Sequence, residues 1–353
     1  MQKSNHKIKI ACITGTVAKA ADRYAMDVMG LKSLALMETA SSKIAEYVMR
    51  HYPLNEGDSR QAEGSMAASA DDGNADGLFF SSALQCAASA DDGNADGLFF
   101  SSALRRAVST DDGNDIECPE KTESKGRTLK ISVLCGVGNN GADGVCASRM
   151  LLRAGYQPQV YIVGNLEKAS WEFLYQLCHF QQAGGAVTMY SACTGTKDQS
   201  GTTTAISYSD AAAKELSLGS VLQCSDATAN DMPLNCTEDV SSTSADTLRD
   251  DDVLIDGIFG IGLHRDIAGD YRLFIEEVNR HRHGFVLAID APSGINTDTG
   301  ELMGCGIKAD VTITFGRNKT GLVCGAGQEY AGRVLVEDIG IPDEAYIEAE
   351  KEK

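Results

Sequence analysis

The sequence is short of cations: 31 Lys+Arg stand against 50 Asp+Glu in 353 residues, a formal net charge of -19. Clustered cations supply affinity for phosphate backbones and anionic lipid surfaces, so this balance argues against a nucleic-acid binder and against membrane attachment. No apolar run approaches the about 20 residues of a membrane span. The N-terminus, MQKSNHKIKIACITGTVAKA, has basic residues but only the run Ile8 to Ile13, interrupted by Lys9, and lacks the apolar stretch of a secretory signal. A cytoplasmic location is expected. Also missing are a CxxC pair and any zinc-type Cys/His spacing; the 11 cysteines are scattered and odd in number, which does not suggest a disulfide framework. Free, buried thiols are expected.

What is present is ordinary globular composition, 43% hydrophobic and 23% charged. At roughly 100–200 residues per domain the length suggests about two domains. An internal repeat changes that estimate. AASADDGNADGLFFSSAL occupies 67–84 and recurs letter for letter at 87–104, with a decayed third start at 107–115. Each copy has too little apolar surface for a stacking solenoid, so the reading is an insertion without a core of its own. Asp72, Asn74, Asp76 and Gly77, and again Asp92, Asn94, Asp96 and Gly97, match the first half of a calcium loop. The second half fails, because Ala83 or Ala103 stands where a bidentate Glu is required.

A second polar tract, 194–250, is rich in Ser, Thr, Asp and Ala. Segment 56–127 holds 15 acidic and 6 basic residues and segment 194–250 holds 9 and 3, so these two carry -9 and -6 of the net charge. The remaining 224 residues hold about -4. The length thus reads as one domain over 1–353, interrupted by acidic insertions at 56–127 and 194–250.

The patterned remainder alternates. Ser33 to Tyr52, Asp143 to Ala154 and Tyr271 to His281 have helical spacing, and apolar runs at 129–135, 159–163, 253–259, 285–289, 311–315 and 333–338 read as strands. Continuously apolar strands between helices predict a parallel sheet covered on both faces. Ligands bind at the carboxyl ends of such strands, and three loops there matter. Gly136-Val-Gly-Asn-Asn-Gly-Ala-Asp-Gly144 combines a glycine turn with a helix start, which suits an anion. It satisfies G-x-G-x-x-G, yet strand 159–163 ends in Val163-Gly164-Asn165 with no acid for a ribose, which counts against a nicotinamide dehydrogenase. Helix-capping Asn in a plain glycine turn remains the bland alternative. The second loop runs from Asp256 through Gly260 and Gly262 to Asp266, and the third is Asp290-Ala-Pro-Ser-Gly294. Asp256 and Asp290 stand at equivalent ends of neighbouring strands, where a buried carboxylate needs partners.

These segments resemble the NAD(P)H-hydrate epimerase family: ADRYAMDVMGLKSLALMETA at 21–40, VLCGVGNNGADGVCASRML at 133–151, LIDGIFGIGLHRDIAG at 254–269, AIDAPSGINTDTG at 288–300, ADVTITFGRNKTGL at 309–322 and GRVLVEDIGIP at 332–342. The resemblance implies a Rossmann-like three-layer α/β/α sandwich with a mostly parallel central sheet, usually a homodimer. It implies interconversion of the R and S forms of hydrated NADH and NADPH (NADHX and NADPHX), which a separate stereospecific dehydratase then repairs. It assigns substrate contact to Asn139, Asn140, Gly141, Ala142 and Asp143, to Gly260, Ile261, Gly262, Leu263, His264, Arg265 and Asp266, and to Asp290 and Lys319. One potassium ion per subunit would be held by oxygens of Asn140, Asp256 and Ser293, a set suited to a hard cation. Asp290 would be the general acid/base, with Lys319 tuning it or pairing with phosphate, an exposed surface lysine being the plain alternative for Lys319.

The family's NNGGD reads NNGAD here, so Ala142 adds a methyl, and its LMExAG ends in Ser41. The fused dehydratase half of bifunctional members, including its G-T-G-D segment, is not seen, so a stand-alone epimerase or the front of a split enzyme is expected. A silent dimerising or ligand-binding module of the same fold is the alternative, disfavoured because Asn140, Asp256, Asp290 and Ser293 are all present.

Overall fold

The computed structural model describes residues 12–54, 129–190, 241–242, 251–281 and 283–351. The repeats, most of the second polar tract and the calcium-loop half-matches lie outside the described residues. Two compact units divide the described chain. The first contains 12–45, 129–153 and 157–351; the described part of the second is 46–54 with 154–156, where Tyr156 Oη donates to Tyr52 O at 2.9 Å.

In the first unit the strands are β2 (Ile131–Cys135), β3 (Pro158–Val163), β4 (Ala186–Tyr190), β5 (Ser241–Ser242), β6 (Val253–Gly257), β7 (Val286–Ile289), β8 (Val311–Phe315) and β10 (Arg333–Glu337). They form one sheet in the order β10-β8-β7-β6-β2-β3-β4-β5, and every pairing is parallel. All six expected strands are found, within two residues at either end. From β2 the chain winds outward through β3 and β4, then returns to lay β6, β7, β8 and β10 on the other side. The order therefore reverses between β2 and β6, and at such a switch point the strand-end loops diverge and leave a crevice.

The helices of this unit are α1 (Gly15–Asp27), α2 (Ser33–His51, whose last turns belong to the second unit), α3 (Asn139–Arg153), α4 (Trp171–Gln182), α5 (Gly269–Val278), α6 (Gly325–Tyr330) and α7 (Asp343–Lys351). Side chains alternate across a strand, and β2 shows the consequence. Val133 and Cys135 face α3 at Gly144, whereas Leu134 packs with Phe274, Ile275 and Val278 of α5. Helices therefore cover both faces of the sheet, as the α/β/α reading requires.

Helices α1, α4, α6 and α7 and strands β4 and β5 were not expected from the sequence. Helix α1 buries Val17, Ala18, Ala21 and Ala25, a stripe of mostly small residues whose helical period is easily overlooked. Helix α3 starts four residues before the expected Asp143, because Ala142 N already donates to Gly138 O at 3.0 Å. Asn139 and Asn140 are thus its first turn rather than a loop. The thiols of Cys12, Cys135, Cys146, Cys305 and Cys324 are free, with burial pushing that of Cys146 up to about 12. Cys178, against expectation, is disulfide-bonded.

Candidate active site

A cavity of about 600 Å³ opens at the switch point. Its wall includes Val137 to Asn140 and Asp143 after β2, Ile258 to Leu263 after β6, Asp290 after β7, and Phe315 and Lys319 after β8. Helix α1 adds Lys19, Asp22 and Arg23, and α7 adds Tyr346.

The glycine turn is dictated by close approach. A Cβ on Gly141 would sit 1.8 Å from Gly136 O, so no other residue fits there. Gly260 also passes close to the first turn of α3, since a Cβ would lie 2.8 Å from Asn140 Oδ1. The two loops thereby meet over the N-terminus of α3, whose unpaired N–H groups and dipole favour an anion. Asn140 Nδ2 is buried there without a hydrogen-bond partner.

Beneath them Asp256 is wholly buried at the end of β6. Its Oδ1 accepts from Ser293 Oγ at 2.5 Å and from Ile258 N at 3.3 Å, and its Oδ2 accepts from Ser293 N at 2.8 Å. Ser293 Oγ in turn accepts from Phe259 N at 2.9 Å. The pair therefore ties the β6 loop to the β7 loop. Burial still pushes the Asp256 carboxyl up to about 6, with these hydrogen bonds pulling the other way.

Asp290 is unlike its neighbours in backbone and in partners. Its φ of 61° is the one positive value for a non-glycine among the described residues, a conformation Asp and Asn tolerate better than most. Such conformations persist where surrounding structure enforces them, often at functional sites. Oδ1 accepts from Thr314 Oγ1 at 3.0 Å, Phe315 N at 3.3 Å and Lys319 Nζ at 2.5 Å. Lys319, only 2% exposed, spends its other two donors on Thr314 Oγ1 at 2.8 Å and Phe315 O at 2.9 Å. One carboxylate oxygen is saturated and Oδ2 has no hydrogen bond to a described residue. The Lys319 left between surface and site in the sequence is a buried partner of Asp290.

Two further carboxyls share the cavity. Asp143 is held well above the usual carboxylate range by burial and by Asp290 and Asp22. Asp22 is pushed up to about 6 by burial, with Lys319 lowering it and Asp290 raising it. Sequence reasoning missed Asp22; its one signal was a place within the segment 21–40. His264, Arg265 and Asp266 are exposed and stand outside the cavity wall. Gly141 and Ala142 are buried behind the wall, so the extra methyl of Ala142 is enclosed by protein. Among the described residues no three His, Cys, Asp or Glu side chains group as a metal site, so a cation here would depend on neutral oxygens as well.

A doubly wound α/β protein with an anion cradle and a buried Asp–Lys pair at its switch point is the class these features define. Comparison with known proteins narrows it. Residues 120–321 match the family model described as YjeF-related protein N-terminus. A Limosilactobacillus fermentum protein named NAD(P)H-hydrate epimerase is 37% identical over 211 residues, 59% of this chain and 74% of that one. One of the same name from Oenococcus oeni is 29% identical over 225 residues, 64% and 81% of the two chains. The chain belongs to the YjeF-related protein N-terminus family. The crystal structure of yeast YNL200c, 14% identical, has the same fold, with a TM-score of 0.50 over 93% of this chain and 87% of that one.

Proposed function

We propose that the chain is an NAD(P)H-hydrate epimerase, interconverting the R and S forms of NADHX and NADPHX. The observation that carries this reading is Asp290: a carboxylate with one oxygen fixed by three donors and the other free, beside an anion cradle in a cavity of about 600 Å³. Epimerisation at the hydrated ring carbon needs the hydroxyl to leave with a proton and water to return on the other face. The ring nitrogen lone pair stabilises the cation between, and a fixed carboxylate oxygen handles a proton at one end of that exchange. Asn139, Asn140 and Asp143 at the start of α3 would take the phosphate and ribose region with Gly141 and Ala142 behind them, Gly260 to Leu263 closing the second side and His264 to Asp266 reached by the outer end of the ligand.

A potassium ion belongs to the same reading. Asn140, Asp256 and Ser293 would hold it, and the fit rests on a buried carboxyl raised by desolvation beside a buried amide without a partner. A bound cation there would offset the repulsion between the acidic walls and a pyrophosphate. The reading also includes a cytoplasmic homodimer working beside a separate dehydratase. Its support is the sequence resemblance.

The test is to follow the R/S ratio of NADHX by chromatography after mixing pure R form with the full chain in potassium buffer. Approach to the equilibrium ratio faster than in buffer alone is expected; no acceleration removes the reading.

A further inference from the structure

We propose that Asp22 is the acid of this reaction and Asp290 its base, so that the two steps of epimerisation are served by carboxyls from different elements of the fold. The proposal rests on the epimerase reading and names a residue for which that reading has no role.

The need for a second group follows from the hydrogen bonds. In its ion pair Asp290 is an acceptor: Lys319, Thr314 and Phe315 all donate to Oδ1. Departure of a hydroxyl needs a donor. Lys319 has none to spare, since its three N–H groups go to Asp290, Thr314 and Phe315. Tyr271 in the wall is hydrogen-bonded to the Val137 backbone, and burial raises both it and Tyr346 above the ordinary phenol, further from neutrality. That leaves Asp143 and Asp22 among the wall residues able to act as acids near neutral pH. Asp143, near the start of α3, is held well above the usual carboxylate range by burial and belongs with the anion cradle. Asp22, raised to about 6, can both give and recover one, the condition for efficient general acid catalysis.

The fold brings Asp22 into the cavity that Asp290 and Lys319 also line, close enough for their charges to act on it. Strand β1 (Cys12–Ile13) pairs in parallel with β9 (Asn318–Lys319), putting Ile13 in register with Lys319 itself. Helix α1 starts directly after, with Thr14 capping Val17 N. Its first turn is fastened to the loop after Asp290, because Thr16 N and Oγ1 donate to the two oxygens of Asp298 at 3.0 and 2.5 Å. Asp22 then follows two turns along. The titratable groups that face it are Lys319, Asp290, Asp143 and Tyr346, with Lys19 and Arg23 of its own helix also in the wall.

In the forward run, protonated Asp22 gives its proton to the ring hydroxyl, the C–O bond breaks with its electrons leaving on water, and the ring nitrogen lone pair forms an iminium. Water then adds to the opposite face, forming the new C–O bond and releasing its extra proton to Asp290 Oδ2. A proton passing from Asp290 back to Asp22 restores the starting state, and the reverse reaction uses the same groups in exchanged roles.

The experiment compares wild type, Asp22→Asn and Asp22→Glu in the full chain, measuring kcat/KM for R-to-S NADPHX against pH, and the melting-temperature shift given by NADP+. Expected are a wild-type rate that falls above about pH 6, a loss of about 10²-fold or more in Asp22→Asn with that fall abolished, and partial recovery in Asp22→Glu. The NADP+ shift should be retained in both variants. Asp22→Asn at the wild-type rate overturns the proposal. So does a slowed variant that keeps the wild-type pH profile, because that is the mark of a structural role. A wild type no faster than buffer removes the epimerase reading and this proposal together, whereas an active wild type with an indifferent Asp22 removes this proposal alone.

Discussion

Lys319 Nζ lies 2.5 Å from Asp290 Oδ1, and the lysine is more deeply buried than the aspartate it serves, 2% against 9% exposed. The pair links β9 to the end of β7 and leaves Asp290 Oδ2 as the free acceptor of the cavity. Taking one partner from a buried ion pair leaves an uncompensated charge, which costs about 3–5 kcal/mol. Lys319→Met should therefore lose stability of that order in urea unfolding and lose epimerisation with it. A variant as stable as wild type would mean that the pair is not the anchor of the site.

The carboxyls predict how stability runs with pH. Asp22 and Asp256 are raised to about 6 and Asp143 above the normal range, each chiefly by burial. Between about pH 4 and 6 the folded chain holds protons that the unfolded chain has released, so stability falls as pH rises through that window. Melting temperature in potassium-free buffer should decline over this range. Stability that rises there would contradict the buried state of these groups.

Potassium should reverse part of that decline. Below about pH 6 a proton on Asp256 competes with the cation, and above it the carboxylate favours the cation. Replacing tetramethylammonium by potassium should raise the melting temperature more at about pH 8 than at about pH 5, and Asp256→Asn should abolish the difference. An equal effect at both pH values would point to a non-specific salt effect.

The glycine turn separates two neighbouring substitutions. Gly141→Ala would place a methyl 1.8 Å from Gly136 O, whereas a Cβ on Gly138 meets nothing within 4 Å. Gly141→Ala should cost about 3 kcal/mol or prevent folding, with Gly138→Ala within about 1 kcal/mol of wild type. Urea unfolding of the two variants checks this, and equal stabilities would contradict the close approach of Gly141 to Gly136 O within the turn.

Much of this site could be read from the sequence where chemistry follows a strand end directly. Asp256 and Asp290 stand one residue before or after the ends of β6 and β7, and the apolar runs that mark those strands also locate the carboxylates. Asp22 could not be found in that way. It reaches the cavity through a two-residue strand and a helix whose buried face is largely alanine, and the pairing of Ile13 with Lys319 spans some 300 residues. Neither periodicity nor a local motif carries such a contact. The depth of Lys319 was hidden for the same reason, since its three acceptors are fixed only once β8, β9 and the β7 loop have come together.

The most direct test of the central claim is the epimerisation rate of Asp290→Asn beside wild type. Asn tolerates the positive φ of position 290 and keeps a carbonyl oxygen for Thr314, Phe315 and Lys319, so although the unpaired charge of buried Lys319 lowers stability, the folded variant should keep the cavity and still give an NADP+-induced rise in melting temperature. The expected result is a rate lower by about 10²–10⁴-fold with that rise retained. Wild-type epimerisation by Asp290→Asn would contradict the account.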